Sequence, residues 1–124
     1  LVSEDLIDAM NTTSKPLAPE ESEFDHAGLQ TVESEVVSVP RVKASKVSME
    51  CKLTDVVQLK TASGEEVNSW FIMGEVVGVH IDKSLIENGV YSTLKSAPVT
   101  RGGGRGDYYT ISRDNFFEML RPEG

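Results

Sequence analysis

Lys46-Val47-Ser48-Met49-Glu50-Cys51-Lys52-Leu53-Thr54-Asp55-Val56-Val57-Gln58-Leu59-Lys60 is the stretch that decides the fold. Val47, Met49, Cys51, Leu53, Val57 and Leu59 alternate with Lys46, Ser48, Glu50, Lys52, Thr54, Gln58 and Lys60. A period of two places successive side chains on opposite sides of extended backbone, so the pattern predicts a half-buried strand with Cys51 as a packed thiol. Thr61-Ala62-Ser63-Gly64-Glu65-Glu66 supplies a polar turn, and the run returns from Val67 to Ile81. The pair predicts a long antiparallel hairpin. On the returning strand Trp70, Ile72, Gly74, Val76, Gly78 and His80 share one face, and Phe71, Met73, Val77, Val79 and Ile81 the other. Two apolar faces predict that both are mostly covered, as in a barrel.

Upstream, Ser3 is placed to cap a short helix running through Met10, with Glu4 and Asp5 at the positive end of its dipole. Asn11-Thr12-Thr13 reads as the turn that ends it. Residues 12–30 form an exposed connection, most clearly where Pro16, Pro19 and four acids crowd positions 14–25. Leu1-Val2 abutting Ser3 reads as the end of a strand entering a helix, with sequence expected before it and no secretory leader within these residues. Downstream, Asp82 caps a helical turn that Gly89 stops, and Pro98 marks a boundary. Arg101-Gly102-Gly103-Gly104-Arg105-Gly106 is a loop leading into a strand at Asp107-Tyr108-Tyr109-Thr110-Ile111, and a last short helix is expected around Asn115 to Leu120.

A length of 124 residues accommodates one domain. Twelve Lys and Arg against twenty Asp and Glu leave a net charge of −8. That balance opposes nucleic acid and anionic membrane surfaces as partners, while leaving room for a small phosphate-bearing ligand in a local cationic pocket. No apolar run reaches bilayer length. The single cysteine forms no internal disulfide, which predicts a reducing compartment, the cytoplasm. His26, His80 and Cys51 have no metal-ligand spacing, so no metal site is predicted.

His80 ends a strand face on which Gly74 and Gly78 predict a shallow trough suited to a flat ring. The Arg101 to Gly106 loop combines glycine freedom with two guanidiniums able to grip phosphate or carbonyl oxygens. It is neither a P-loop nor a dinucleotide fingerprint.

The run Gly74-Glu75-Val76-Val77-Gly78-Val79-His80-Ile81-Asp82, followed by Pro98-Val99-Thr100-Arg101-Gly102-Gly103-Gly104 and Asp107-Tyr108-Tyr109, resembles the C-terminal half of the flavin reductase-like family. Met10-Asn11-Thr12-Thr13-Ser14, Glu23-Phe24-Asp25-His26-Ala27-Gly28-Leu29 and Met49-Glu50-Cys51-Lys52-Leu53 match in the same order. The resemblance implies a mainly β fold, an antiparallel split β-barrel with short peripheral helices, of which residues 1–124 form one partial domain. It implies FMN held without a covalent bond, NADH or NADPH as hydride donor, and a homodimer. His80 is the implied catalytic residue and, with Arg101, Gly103, Gly104, Tyr108 and Tyr109, the implied flavin contact set; Arg105 looks like an insertion before the tyrosines. The alternative is a non-enzymatic flavin-binding or dimeric scaffold protein of the same fold.

Overall fold

The chain opens with a 3-10 turn at Glu4–Leu6 that runs into α1 (Ile7–Thr12), and α2 (Glu23–Ala27) follows, in a computed structural model that describes residues 1–123. Ser3 does not cap as expected: its hydroxyl turns to the Asp5 carboxylate, and its backbone bridges to Pro98. The end of α1 is instead closed by hydroxyls, with Thr12 Oγ1 donating to the Asp8 carbonyl at 2.9 Å and Thr13 Oγ1 to that of Met10 at 2.7 Å. The Thr13 bond satisfies a carbonyl that the helix terminus leaves open, and the Thr12 bond adds a second donor within the last turn. Within the predicted connection, α2 stops at Gly28, whose φ of 64° lets Leu29 N–H return to the Phe24 carbonyl.

Among the described residues every sheet has two strands. A short ribbon, β1 (Thr31–Val32) with β2 (Arg41–Val42), precedes the long hairpin of β3 (Val47–Lys60) with β4 (Glu66–Ile81). The turn forms where the sequence placed it, with Thr61 N–H bonded to the Glu65 carbonyl and Gly64 at φ 89°.

The register shifts at three places along the hairpin, and the first of them bears on the site. Ser48 pairs with His80 and Glu50 with Gly78, but the register shifts between Glu50 and Cys51, after which Cys51 pairs with Val76 and Leu53 with Gly74. A bulge of this kind puts one extra residue on one strand. The unpaired Val77 is the extra residue on β4, so Ser48, Glu50, Gly78 and His80 share one face while Cys51 and Leu53 share the other with Val76 and Gly74, which divides the β4 face expected from strict alternation. Glu50, read as a solvated charge, is 2% exposed, and Cys51, read as packed, is exposed.

Beyond the hairpin, Asp82 caps as expected, accepting Ser84 N–H at 2.8 Å at the head of a 3-10 turn, Lys83–Leu85. Asn88 and Gly89 do not stop a helix. Their φ values of 51° and 81° make the tight turn between β5 (Ile86–Glu87) and β6 (Val90–Tyr91), an Asn-Gly connection whose twist suits antiparallel strands. Next come α3 (Thr93–Ser96), then β7 (Val99–Arg101) paired with β8 (Tyr108–Thr110) around the glycine-rich loop. The expected terminal helix is absent: a 3-10 turn at Arg113–Asn115 leads to residues without regular structure, and Phe117 and Met119 are 74% and 82% exposed. An apolar stripe without a surface to bury it gives a short helix little stability.

Among the described residues Val47 and Leu85 are the buried large hydrophobics. Met49, Leu53, Trp70, Phe71, Ile72 and Val79 all stand exposed on the hairpin. The expected cover on both faces is thus not provided by this chain, and no closed barrel is present among its described residues. A two-stranded hairpin is marginal by itself, and its apolar faces stand open among the described residues.

Candidate functional site

The most organised polar cluster in the molecule centres on the Glu50 carboxylate. Gly78, directly across the strand pair, leaves room above it: a Cβ at Gly78 would stand 3.4 Å from both Glu50 Cβ and Val36 Cγ2. The segment joining β1 to β2 settles into that room. Glu35 N–H donates to Glu50 Oε1 at 2.8 Å, and Val36 and Val37 N–H donate to Oε2 at 2.7 and 3.0 Å. His80 Nε2 lies 2.5 Å from Oε1, and Arg41 Nε lies 3.7 Å from the same oxygen. Arg41 Nη2 donates to the Glu33 carbonyl at 3.1 Å, while its buried Nε has no hydrogen-bond acceptor and meets Glu50 only as a charge.

Burying a carboxylate is costly unless it is paired and hydrogen-bonded. Here the Glu35 N–H is the largest influence, burial opposes it, and His80 with the Val36 and Val37 N–H groups adds to it, so the Glu50 carboxyl is held down at about 2. The group is ionised at neutral pH. It also pins the segment between β1 and β2 onto the hairpin.

His80 and Arg41 both border a polar cleft of about 570 Å³, together with Lys43, Lys46 and Asp82. In a chain of net charge −8 this mouth is locally basic, because the one acid is outnumbered and Glu50 is buried beneath it. A second, more apolar cleft of about 410 Å³ gathers Met10, Phe24, Leu29 and Met49 under the two helices.

The glycine-rich loop is a separate structure. Arg101 spends its guanidinium on the loop itself, with Nη1 donating to the Asp107 carbonyl at 2.9 Å and Nη2 to that of Arg105 at 3.0 Å, and it stacks 4.9 Å from the Tyr108 ring centre. Gly102 must lack a side chain, since a Cβ there would meet Tyr109 Cε2 at 2.5 Å, and one at Gly104 would overlap the Asp107 carboxylate. Gly103 faces open space, and Tyr109 is 60% exposed.

Of the residues singled out from sequence, the structure gathers Arg101, Gly103, Gly104, Tyr108 and Tyr109 on one loop and its strand. His80 sits elsewhere, with Glu50 and Arg41; no hydrogen bond or ion pair among the described residues joins the two groups. The trough expected over Gly78 is filled by Val36 and Glu50. Sequence reading missed Glu50, Arg41 and the backbone of residues 35–37. The available signal was a glycine facing a glutamate across a hairpin, with Val36-Val37 in an otherwise polar segment.

Residues 1–99 match the flavin reductase like domain, and the chain belongs to that family. The uncharacterized protein BH2278 of Halalkalibacterium halodurans is 36% identical over 118 residues, which are 91% of this chain and 56% of that protein. Nitrilotriacetate monooxygenase component B from Bacillus cereus superposes with a TM-score of 0.82 at 32% identity, covering 94% of this chain and 56% of that one. A putative flavin reductase with a split barrel domain from Shewanella frigidimarina gives a TM-score of 0.72 at 25% identity, covering 90% of this chain and 54% of that one. The fold is the flavin reductase split barrel, and this chain spans little more than half the length of these relatives. His80, Glu50 and Arg41 lie within the matched residues, whereas the loop from Arg101 onward lies beyond them.

Proposed function

We propose that this chain is part of a flavin reductase, an oxidoreductase that binds FMN without a covalent bond and passes hydride to it from NADH or NADPH. The observation that carries the reading is the basic cleft at His80, set in an acidic chain of the flavin reductase-like family. The residues present suit such ligands: Arg41, Lys43 and Lys46 offer donors to an anion, and Gly103 and Tyr109 offer an open backbone and an exposed ring for stacking. The redox chemistry belongs to the bound flavin; the protein contributes position and electrostatics. In this reading His80 orients the nicotinamide, and Arg101, Gly104 and Tyr108 hold the loop that brings Gly103 and Tyr109 to the flavin. A homodimer in the cytoplasm completes the proposal, supported by the open apolar faces of the hairpin and the unpaired Cys51.

The test is NADH and NADPH oxidation by the full-length protein with added FMN, beside His80→Ala. Accelerated oxidation that falls at least tenfold in the variant is expected. Flavin binding without oxidation would identify a binding module instead, and unchanged turnover in His80→Ala would remove that residue from the site.

A further inference from the structure

We propose that Glu50 is the positioning residue of this site: whenever the His80 ring is neutral, Glu50 fixes its proton on Nε2, so that Nδ1 is the acceptor offered to an N–H donor of the ligand, such as a carboxamide. The ligand half rests on the functional reading above; the Glu50 half stands on geometry alone.

An ionised carboxylate only accepts hydrogen bonds, so the 2.5 Å contact requires the proton on His80 Nε2. The carboxylate has no freedom to reverse this arrangement. Oε2 is taken by two backbone N–H groups and Oε1 by a third, with the Arg41 charge beside it. Donors on every side also remove Glu50 from direct acid or base work on a ligand. His80 Nδ1 has no partner among the described residues, and the side chain keeps 23% of its surface exposed at the edge of the cleft. A histidine held through one nitrogen presents the other in a defined state, as supporting carboxylates do for metal-bound imidazoles.

Glu50→Gln makes a specific prediction. With the amide nitrogen in the Oε2 position, it would face two N–H donors, from Val36 and Val37; in the Oε1 position it faces one, from Glu35, and points a donor at His80. The second arrangement conflicts less, so His80 Nε2 must accept and its proton must move to Nδ1.

The experiment is long-range proton–nitrogen correlation on the full-length protein labelled with 15N-histidine, at a pH where imidazole is neutral, with the His80 signals identified by their loss in His80→Gln. A protonated Nε2 in the unsubstituted protein and a protonated Nδ1 in Glu50→Gln are expected. A protonated Nδ1 in the unsubstituted protein overturns the role of Glu50, whether or not the variant folds. For the ligand half, oxidised nicotinamide dinucleotide is compared calorimetrically with its 3-acetylpyridine analogue, which has no N–H in that position. The unsubstituted protein should bind the analogue about 5-fold more weakly, the worth of one hydrogen bond, and His80→Ala should bind the two alike. Equal discrimination in His80→Ala overturns the acceptor role of Nδ1. Absence of dinucleotide binding overturns the functional reading and the ligand half with it, while the nitrogen spectra still decide the Glu50 half.

Discussion

Replacing Gly78 by alanine and by valine separates an open trough from one that the protein fills itself. An alanine Cβ would stand 3.4 Å from Glu50 Cβ and Val36 Cγ2 and 3.5 Å from Glu50 Cδ, the near edge of ordinary contact. Gly78→Ala should therefore be tolerated, with a gain of up to about 0.5–1 kcal/mol from the less flexible unfolded chain offsetting any crowding. Valine adds two methyl groups about 1.5 Å further out, where Val36 and Glu50 already sit, and overpacking of that kind costs about 1–3 kcal/mol. That is roughly a 5- to 150-fold change in the folding equilibrium, at 1.4 kcal/mol for each factor of ten. Urea denaturation of the full-length protein measures the difference, and hydrogen exchange at the Glu35, Val36 and Val37 amides reports whether the segment has been pushed off. Gly78→Val with unchanged stability and unchanged protection at those amides would refute the packing argument. Gly78→Ala with intact stability but a lost flavin site would restore the trough.

Acid should release the same segment late. Because Glu50 is held near 2 when folded against an ordinary 4.5, its stabilisation is complete above about pH 4.5 and disappears as pH falls toward 2. Amide shifts of Glu35 to Val37 should titrate with a midpoint near 2; a midpoint near 4.5 would show that the carboxylate is not held as described. In the glycine-rich loop, Gly102→Ala should distort the structure around Asp107 and Tyr109, Gly104→Ala need only turn the Asp107 carboxylate aside, and Gly103→Ala should leave the loop unchanged. A flavin titration that weakens about tenfold for Gly103→Ala without loss of stability would then report direct ligand contact at that position. Equal thermal stability of Gly102→Ala and Gly103→Ala would contradict the loop geometry.

The hairpin was legible because a period of two persists over more than a dozen residues on each strand and a polar glycine turn separates them. His80 was legible as a polar end to an apolar face. Glu50 was hidden for two physical reasons. Alternation places it correctly on the polar side of β3, opposite Cys51 and Leu53, but a polar side is read as the solvated one, and the bulge at Val77 that sets Gly78 apart from Val76 and Gly74 has no signature in residue types. The groups that bury it come from a segment without regular structure, whose backbone donors leave no pattern in residue types. Asn88-Gly89 was visible but misread, since the same pair serves as a helix stop or as a tight turn until the positive φ at both residues decides. The short helix expected around Asn115 to Leu120 does not form, because Phe116, Phe117 and Leu120 find nothing among the described residues to bury them.

The bridge between Ser3 and Pro98, with Val99 N–H bonded to the Val2 carbonyl at 3.0 Å, bears on the order in which the chain acquires its shape. The long hairpin can zip outward from Gly64 through neighbours close in sequence, a microsecond event. The stitch at residues 2 and 99 joins segments that begin far apart and must wait for everything between them to become compact, because closing a long loop loses entropy before any contact repays it. Substitutions near the turn at Thr61 to Glu66 should therefore alter the folding rate, while substitutions at Ser3 or Pro98 should act mainly on the rate of unfolding.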